Sequence, residues 1–311
     1  MQLSRGLRNC RPDDRGVAVA IGNFDGVHRG HQALVARARS AASGGERVAV
    51  LTFEPHPREF LDPAQAPPRL MRLAEKSTAL AALGVERLAV LRFNERLQRQ
   101  SPDDFVREVL HDGLGARHVV VGEGFRYGCR RAGTVDSLRA AGAVLGFDVH
   151  VVPSVAVDGE RVSSTRVRAA LAAGDLVTAQ RLLGRPYSIT GRVVAGQRLG
   201  RELGFPTANF RMPPSSVALR GIYAVRLQGI EGRPDAAAVA SLGTRPTVGG
   251  IEPLLEVHVF DYDGDLYGRR LTVEFIERLR DEEKFPSLEA LVTQMHADAT
   301  RAREILAAHA A

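Results

Sequence analysis

Between residues 17 and 152, short unbroken apolar runs alternate with stretches of helical period. The runs are Val17–Ile21, Arg47–Phe53, Leu88–Phe93, His118–Gly122 and Asp148–Val152. Runs that are continuous rather than alternating belong to strands buried on both faces. Between them, Gly30–Ala42, Leu73–Leu83, Pro102–Leu110 and Thr134–Ala141 read as helices. Ser101-Pro102-Asp103-Asp104 makes a good helix start: a hydroxyl cap, a proline in the first turn and two acids beside the positive end of the dipole. Strand and helix in alternation predict a doubly wound parallel α/β sheet, whose ligands bind beyond the carboxyl ends of the strands.

The pattern changes after Gly184-Arg185-Pro186. Two short helices, Val167–Leu171 and Leu176–Leu183, precede that point, and strand-like runs follow it: Tyr187–Ala195, Gly221–Gln228, Ala236–Leu242, Leu254–Phe260 and Arg270–Phe275. Leu254–Phe260 and Leu271–Phe275 place polar residues at alternate positions, the period of a half-buried strand. Gly- and Pro-rich turns separate the runs, which predicts a small antiparallel β-barrel. Pro286-Ser287 then opens a C-terminal helix with Leu288, Leu291, Val292 and Met295 on one face. The expected domains are 1–184 and 185–311.

Composition narrows the function. The 311 residues, 44% of them hydrophobic, suffice for two cores. No apolar run reaches membrane-spanning length, and the first sixteen residues lack the apolar centre of a signal peptide. Cys10 and Cys129 lie far apart, so a reducing cytoplasm is expected and a disulfide framework is not. The formal charge is +6, carried almost wholly by arginine, since lysine occurs only at 76 and 284. The arginines are dispersed. No basic run marks a nucleic-acid arm, so neither nucleic acid nor membrane is expected as a partner, and arginine's affinity for phosphorylated small molecules is the better reading. Homo-oligomerisation is left open.

The candidate chemistry begins where the first apolar run ends. Gly22-Asn23-Phe24-Asp25-Gly26-Val27-His28-Arg29-Gly30-His31 joins a strand to a helix. Gly22, Gly26 and Gly30 let an anion approach the backbone, amide groups at a helix start point outward, and His28 and His31 share one face of the first turn. Thr52-Phe53-Glu54-Pro55-His56-Pro57 stiffens the loop after the second strand. Gly122-Glu123-Gly124-Phe125-Arg126-Tyr127-Gly128 offers aromatic rings and arginine for a planar ring and a phosphate. Ser163-Ser164-Thr165-Arg166-Val167-Arg168 caps a helix and places arginines at its start. In the second domain, Gly196 to Gly204 is rich in glycine and arginine. Thr207 and Asn209 share a face of an extended segment as neutral oxygen donors suited to Mg²⁺ or phosphate. Glu256, mid-strand among apolar neighbours, is either a general base or an outward-facing strand residue.

Joined in this order, the motifs resemble those of the bacterial bifunctional riboflavin kinase/FMN adenylyltransferases (FAD synthetases) along nearly the whole chain. The first half resembles the nucleotidyltransferase module, a Rossmann-like fold, through His28-Arg29-Gly30-His31, Thr52–Pro57, the 122–128 loop and Ser163–Arg168. The second resembles the riboflavin kinase barrel through Gly191–Asn209, Gly221-Ile222-Tyr223-Ala224, Gly243–Thr247, Leu255–His258, Asp265–Gly268 and Arg280–Phe285. The resemblance implies two reactions: phosphorylation of riboflavin by ATP to FMN, and adenylyl transfer from ATP to FMN with release of pyrophosphate. It implies Glu256 as base, and Thr207 and Asn209 as holders of Mg²⁺ and phosphate. It also implies ATP contacts at Gly22, Phe24, Asp25, Gly26, His28, Gly30, His31, Ser164, Thr165, Arg168 and Gly200, and flavin contacts at Phe125 and Tyr127. The family usually has Asp or Asn where Gly124 stands and Phe where Tyr127 stands. Two alternatives follow: a riboflavin kinase whose adenylyltransferase module is weakened at Gly124, or a basic nucleotide- or RNA-binding protein without turnover.

Overall fold

The computed structural model describes residues 1–7, 16–42, 44–196, 200, 203–212, 218–247 and 250–309. Contacts divide the chain into two compact units, Met1–Pro67 with Arg72–Ser163, and Pro68–Met71 with Ser164–Ala311.

The first unit is a six-stranded sheet of β1 (Gln2–Arg5), β2 (Val17–Ile21), β3 (Arg47–Glu54), β4 (Arg87–Arg92), β5 (Ala116–Gly122) and β6 (Asp148–Val152). The spatial order is β1-β4-β3-β2-β5-β6, and every neighbouring pair is parallel. All five residues of central β2 are buried. Connecting the strands are α1 (Arg29–Ala41), α2 (Pro57–Leu61), α3 (Leu73–Ala82), α4 (Glu95–Arg99), α5 (Pro102–Asp104) and α6 (Val135–Leu145). The expected doubly wound sheet is present. Sequence pattern missed β1, whose four residues carry too little apolar signal to mark an edge strand. It also read Pro102–Leu110 as one α-helix. Ser101 does cap α5, accepting from the Asp104 N–H at 3.0 Å while its hydroxyl donates to Asp104 Oδ2 at 2.7 Å, yet Phe105–His111 widens into a π-helical turn that buries Phe105, Val106, Val109 and Leu110.

This strand order places the nucleotide edge. The chain builds β2, β3 and β4 outward in one direction, then returns to lay β5 on the other side of β2. The crevice outside the carboxyl ends of β2 and β5 is therefore the topological switch point. The Gly22–His31 loop leaves β2 there, and the 122–128 loop leaves β5.

A two-stranded hairpin, β7 (Ala156–Val157) with β8 (Glu160–Arg161), ends the first unit. The second contains α7 (Ser164–Ala172), α8 (Leu176–Leu183) and six strands: β9 (Ser188–Val194), β10 (Ala208–Arg211), β11 (Gly221–Gln228), β12 (Ala236–Thr247), β13 (Gly250–Val259) and β14 (Arg270–Arg280). They close an antiparallel barrel in the order β10-β13-β12-β11-β14-β9. Alternation decides the faces: Leu255, Val257 and Val259 are buried, whereas Leu254, Glu256 and His258 between them are not. A long C-terminal helix, α9 (Leu288–Ala308), packs Ala302, Ile305 and Leu306 against Ala224 and Phe260. This corrects the expected face. Leu288 is 54% exposed, Leu291 and Met295 line a cavity, and the packed residues lie in the second half of the helix. The buried Asp298 explains the misreading, because a carboxylate on the packed face hides the apolar stripe.

Candidate active sites

The Gly22–His31 loop is bent by residues in the left-handed region. Phe24, Gly26 and Val27 have φ of 50°, 86° and 43°. A β-branched valine pays strain there, and such strain persists only when surroundings impose it. Buried Phe24 is one anchor; its ring centroid lies 4.9 Å from that of His31. Hydrogen bonds to the loop's carbonyls add to this. The Asn23 carbonyl accepts from Thr52 Oγ1 at 3.1 Å and from Lys76 Nζ at 2.8 Å, and the Val27 carbonyl accepts from Gln32 Nε2 at 3.0 Å. Asp25 is buried within the same loop.

His28 is the N-cap of α1. Its Nδ1 accepts the His31 N–H at 3.4 Å. An acceptor Nδ1 puts the neutral ring's proton on Nε2, making that nitrogen a donor. The rings of His28 and His31 stack at 3.6 Å between centroids. Burial, then the neighbouring His28 and Lys76, hold the His31 pKa well below the ordinary histidine value, so its ring is neutral at pH 7. His31 Nδ1 is closed off from solvent and has no hydrogen-bond partner among the described residues. Close approach accounts for two of the glycines. A Cβ at Gly30 would lie 3.2 Å from His28 Cε1, and one at Gly22 would lie 3.2 Å from the Phe24 ring. The loop thus presents neutral imidazoles at the positive end of a helix, an arrangement that accepts an anion.

The other sequence candidates fall in different places. His56 caps α2 in a capping box with Glu59, its Nδ1 accepting the Arg58 N–H at 3.2 Å. Tyr127 is buried. Its ring stacks on Phe125 at 5.6 Å, and its hydroxyl lies 3.1 Å from Ser137 Oγ. Phe125 is only partly buried against the same core. A Cβ at Gly124 would meet nothing within 4 Å among the described residues. Ser164 opens α7 in the second unit, Thr165 follows in its first turn, and Arg168 Nε donates to the Pro68 carbonyl at 2.6 Å. Lys76 went unnoticed as an anchor of the loop. Its signal was compositional, being one of two lysines in a chain that otherwise uses arginine. It is buried in α3, 3.9 Å from Glu54.

In the barrel, strand register brings the predicted residues together. Asn209 of β10 lies directly opposite Glu256 of β13, which on its other side faces Ser241 of β12. Thr207 Oγ1 donates to Glu256 Oε1 at 3.5 Å, and Asn209 Nδ2 lies 3.3 Å from the Thr207 carbonyl and 3.4 Å from its Oγ1. Two glycines form the cradle. A Cβ at Gly196 would lie 2.5 Å from Asn209 Nδ2, and one at Gly200 would lie 2.4 Å from the Phe205 carbonyl. Residues 197–199 and 201–202 of that glycine- and arginine-rich segment lie outside the described residues.

Two cavities meet at this cluster. One, of about 370 Å³, is lined by Phe205, Glu256, Leu291 and Met295 together with Thr207 and Asn209. The other, of about 430 Å³, is lined by Tyr262, Asp265 and Tyr267 together with the same Thr207 and Asn209. Glu256 belongs only to the first. Arg280, on the wall of the first cavity, is clamped by Asp298, with Nη2 to Oδ2 at 2.8 Å and Nε to Oδ1 at 3.0 Å. Sequence reading passed over Ser241 and Asp298. Register alone reveals the first, and the second is visible only once α9 is docked.

Two sites of this kind on one chain, an anion loop on a parallel sheet and a carboxylate beside a hydroxyl on a barrel, match two family models. Residues 10–166 match FAD synthetase, and residues 183–306 match riboflavin kinase. The chain belongs to the bifunctional riboflavin kinase/FMN adenylyltransferase family. It is 50% identical over 309 residues to the family member from Pseudomonas fluorescens, covering 99% of this chain and 98% of that one. The Escherichia coli K12 member is 42% identical over 308 residues, covering 98% and 97%. A crystal structure from Streptococcus pneumoniae described as a macrolide-efflux protein superposes with a TM-score of 0.82 at 30% identity, over 97% of this chain and 98% of that one. Among the described residues, no helix here is long and apolar enough to cross a membrane. In the riboflavin kinase/FMN adenylyltransferase family, ATP, riboflavin and FMN are substrates, and both activities run on one chain.

Proposed function

We propose that the two reactions of FAD biosynthesis use the two constellations separately: FMN formation in the barrel, and adenylyl transfer at the Gly22–His31 loop, with residues 1–184 and 185–311 as the two modules. The observation that carries this is the difference in donor chemistry. The barrel carboxylate, Glu256, lines a cavity and accepts from Thr207 Oγ1, whereas the carboxylate of the loop, Asp25, is buried.

In the barrel, Glu256 lines one cavity alone while Thr207 and Asn209 line both. A hydroxyl that needs a base must sit on the Glu256 side, so riboflavin takes the cavity walled by Phe205, Leu291 and Met295. ATP takes the other, with its γ-phosphate at Thr207 and Asn209. Glu256 accepts the proton of the 5′-hydroxyl as its oxygen bonds to the γ-phosphorus and the bond to ADP breaks. The hydroxyl, amide and carboxylate oxygens, cradled by Gly196 and Gly200, are a donor set that fits Mg²⁺, with Thr207 and Asn209 as its holders. Such an ion, when bound, neutralises phosphate charge.

In the first module the nucleophile is the FMN phosphate, already an anion, so no base is required. Its oxygen bonds to the α-phosphorus of ATP, and pyrophosphate leaves. His28 Nε2–H and the neutral His31 ring donate to the triphosphate as charge builds on the leaving group, and the dipole of α1 reinforces them. Phe125 is the flavin-side candidate of the 122–128 loop. Ser164, Thr165 and Arg168 carry the family's phosphate-side segment by sequence match alone. The cytoplasm is the proposed compartment.

Incubating the purified chain with riboflavin and Mg-ATP tests the reading. FMN and then FAD with pyrophosphate are expected. FMN alone would support a kinase with a silent second module, and neither product would refute both enzymatic readings.

A further inference from the structure

Away from both sites, at the amino-terminal ends of β5 and β6, three potential metal ligands meet on one face of the sheet. His118 lies opposite Asp148 in register, and His150 follows Asp148 by two residues on the same strand. One ligand atom from each lies within 4.8 Å of the others. His118 Nδ1 is 3.2 Å from His150 Nε2 and 3.5 Å from Asp148 Oδ2. Bonds of Zn–N and Zn–O length subtend a tetrahedral edge of about 3.3–3.5 Å, so both distances are those of ligands sharing one ion. We propose that His118 Nδ1, His150 Nε2 and Asp148 Oδ2 form a site for a borderline divalent cation such as Zn²⁺, Co²⁺ or Ni²⁺, with water completing the coordination. The donor set has two imidazoles and one carboxylate, which suits these ions rather than Mg²⁺. The site is independent of the proposed reactions.

Arg37 controls it. From α1, the Arg37 Nη2 donates to His150 Nδ1 at 2.7 Å. That bond fixes the His150 proton on Nε2, where it faces His118 Nδ1. A metal on Nε2 requires the proton to move to Nδ1, and an arginine has no acceptor to receive it. Arg37 must therefore withdraw when the ion enters, which its exposed side chain permits. The guanidinium is a built-in competitor for the cation. The remaining charges near His118 are Glu46, itself 3.8 Å from Arg117, and Asp148, which favours the cation.

Titrating the full chain, free of nucleotide and Mg²⁺, with Zn²⁺ by calorimetry, and with Co²⁺ by visible absorption, tests this. One ion per chain is expected, with the intense ligand-field band of four-coordinate cobalt. His118→Ala and His150→Ala should each weaken binding at least about tenfold. Arg37→Ala should tighten it about tenfold, as expected for removing one positive charge a few ångströms from the ion. Absence of saturable binding in the wild type would overturn the proposal. So would binding retained by the His118→Ala/His150→Ala double variant, binding lost in His28→Ala instead, or weaker binding in Arg37→Ala. Circular dichroism checks that each variant is folded.

Discussion

In the Gly22–His31 loop, the groups arranged for a ligand are imidazoles and backbone amides held by a strained backbone. Around Thr207, a hydroxyl and an amide stand beside the carboxylate of Glu256; Asn209 and Glu256 lie on strands, Thr207 immediately precedes β10, and none of the three is left-handed. On the proposed assignment both regions handle ATP, and the difference follows from the nucleophile. A phosphate monoester arrives charged and needs only placement and charge neutralisation. An alcohol arrives neutral and needs a base held at a fixed position. In the proposed scheme strand register gives the base that position, and loop strain gives the backbone its approach to a triphosphate.

The sharpest way to break this comparison is to remove the base. Glu256→Gln should lower FMN formation by about 10²–10⁴-fold while FAD formation from supplied FMN is unchanged. Equal loss of both rates, read by product chromatography, would join the two sites. Next in size is His28→Ala. Losing a donor at the leaving pyrophosphate should cost about 10²–10³-fold in FAD formation, with FMN accumulating from riboflavin at the wild-type rate. Lys76→Met sharpens the picture of loop strain. It leaves the Asn23 carbonyl with Thr52 and removes the cation 3.9 Å from Glu54, so FAD turnover should fall about tenfold and stability by about 1–3 kcal/mol, with the kinase rate untouched. A thermal melt and the two steady-state rates check it.

Smaller effects probe the same loops. Gly124→Asn enters open space without a left-handed φ, so stability should change by less than about 0.5 kcal/mol. A several-fold rise in FAD turnover would identify the missing polar side chain as a weakness of the module, and an unchanged rate would remove that alternative. The pH response probes the histidine loop. The folded-state pKa of His31 is depressed, so below about 6.5 the unfolded chain binds a proton that the folded chain refuses. Stability of the first unit should therefore fall as pH drops from 7 toward the folded value. His31→Gln should flatten that slope by as much as one proton in melts between pH 7.5 and 5.5, and an unaltered slope would assign the effect elsewhere.

Much of this architecture was legible in the chain. The buried parallel strands were readable because they need no polar face, and the helix at Leu176–Leu183 was bounded by Asp175 and Gly184, which cap it. Edge strand β1 and strand β10 were not, because four residues show no period of their own. The histidine loop was readable as an anion site from its glycines, but the strain at Phe24 and Val27 was invisible, since neither residue type advertises a positive φ. Glu256 was equally an exposed strand residue until register set it opposite Asn209 and Ser241. Tyr127 shows the reverse case. An aromatic in a loop was read as a ligand contact, whereas the structure buries its ring beside Phe105. Lys76 and Asp298, buried charges with distant partners, required the fold.

Mixing two damaged chains tests the separation of the sites most directly. His28→Ala should make FMN with little FAD, and Glu256→Gln should make FAD efficiently only from supplied FMN. Neither alone should convert riboflavin to FAD, while an equimolar mixture with Mg-ATP should do so after a lag in which FMN appears. A mixture of folded variants that yields no FAD, or either variant alone yielding it at the wild-type rate, would contradict two independent sites on one chain.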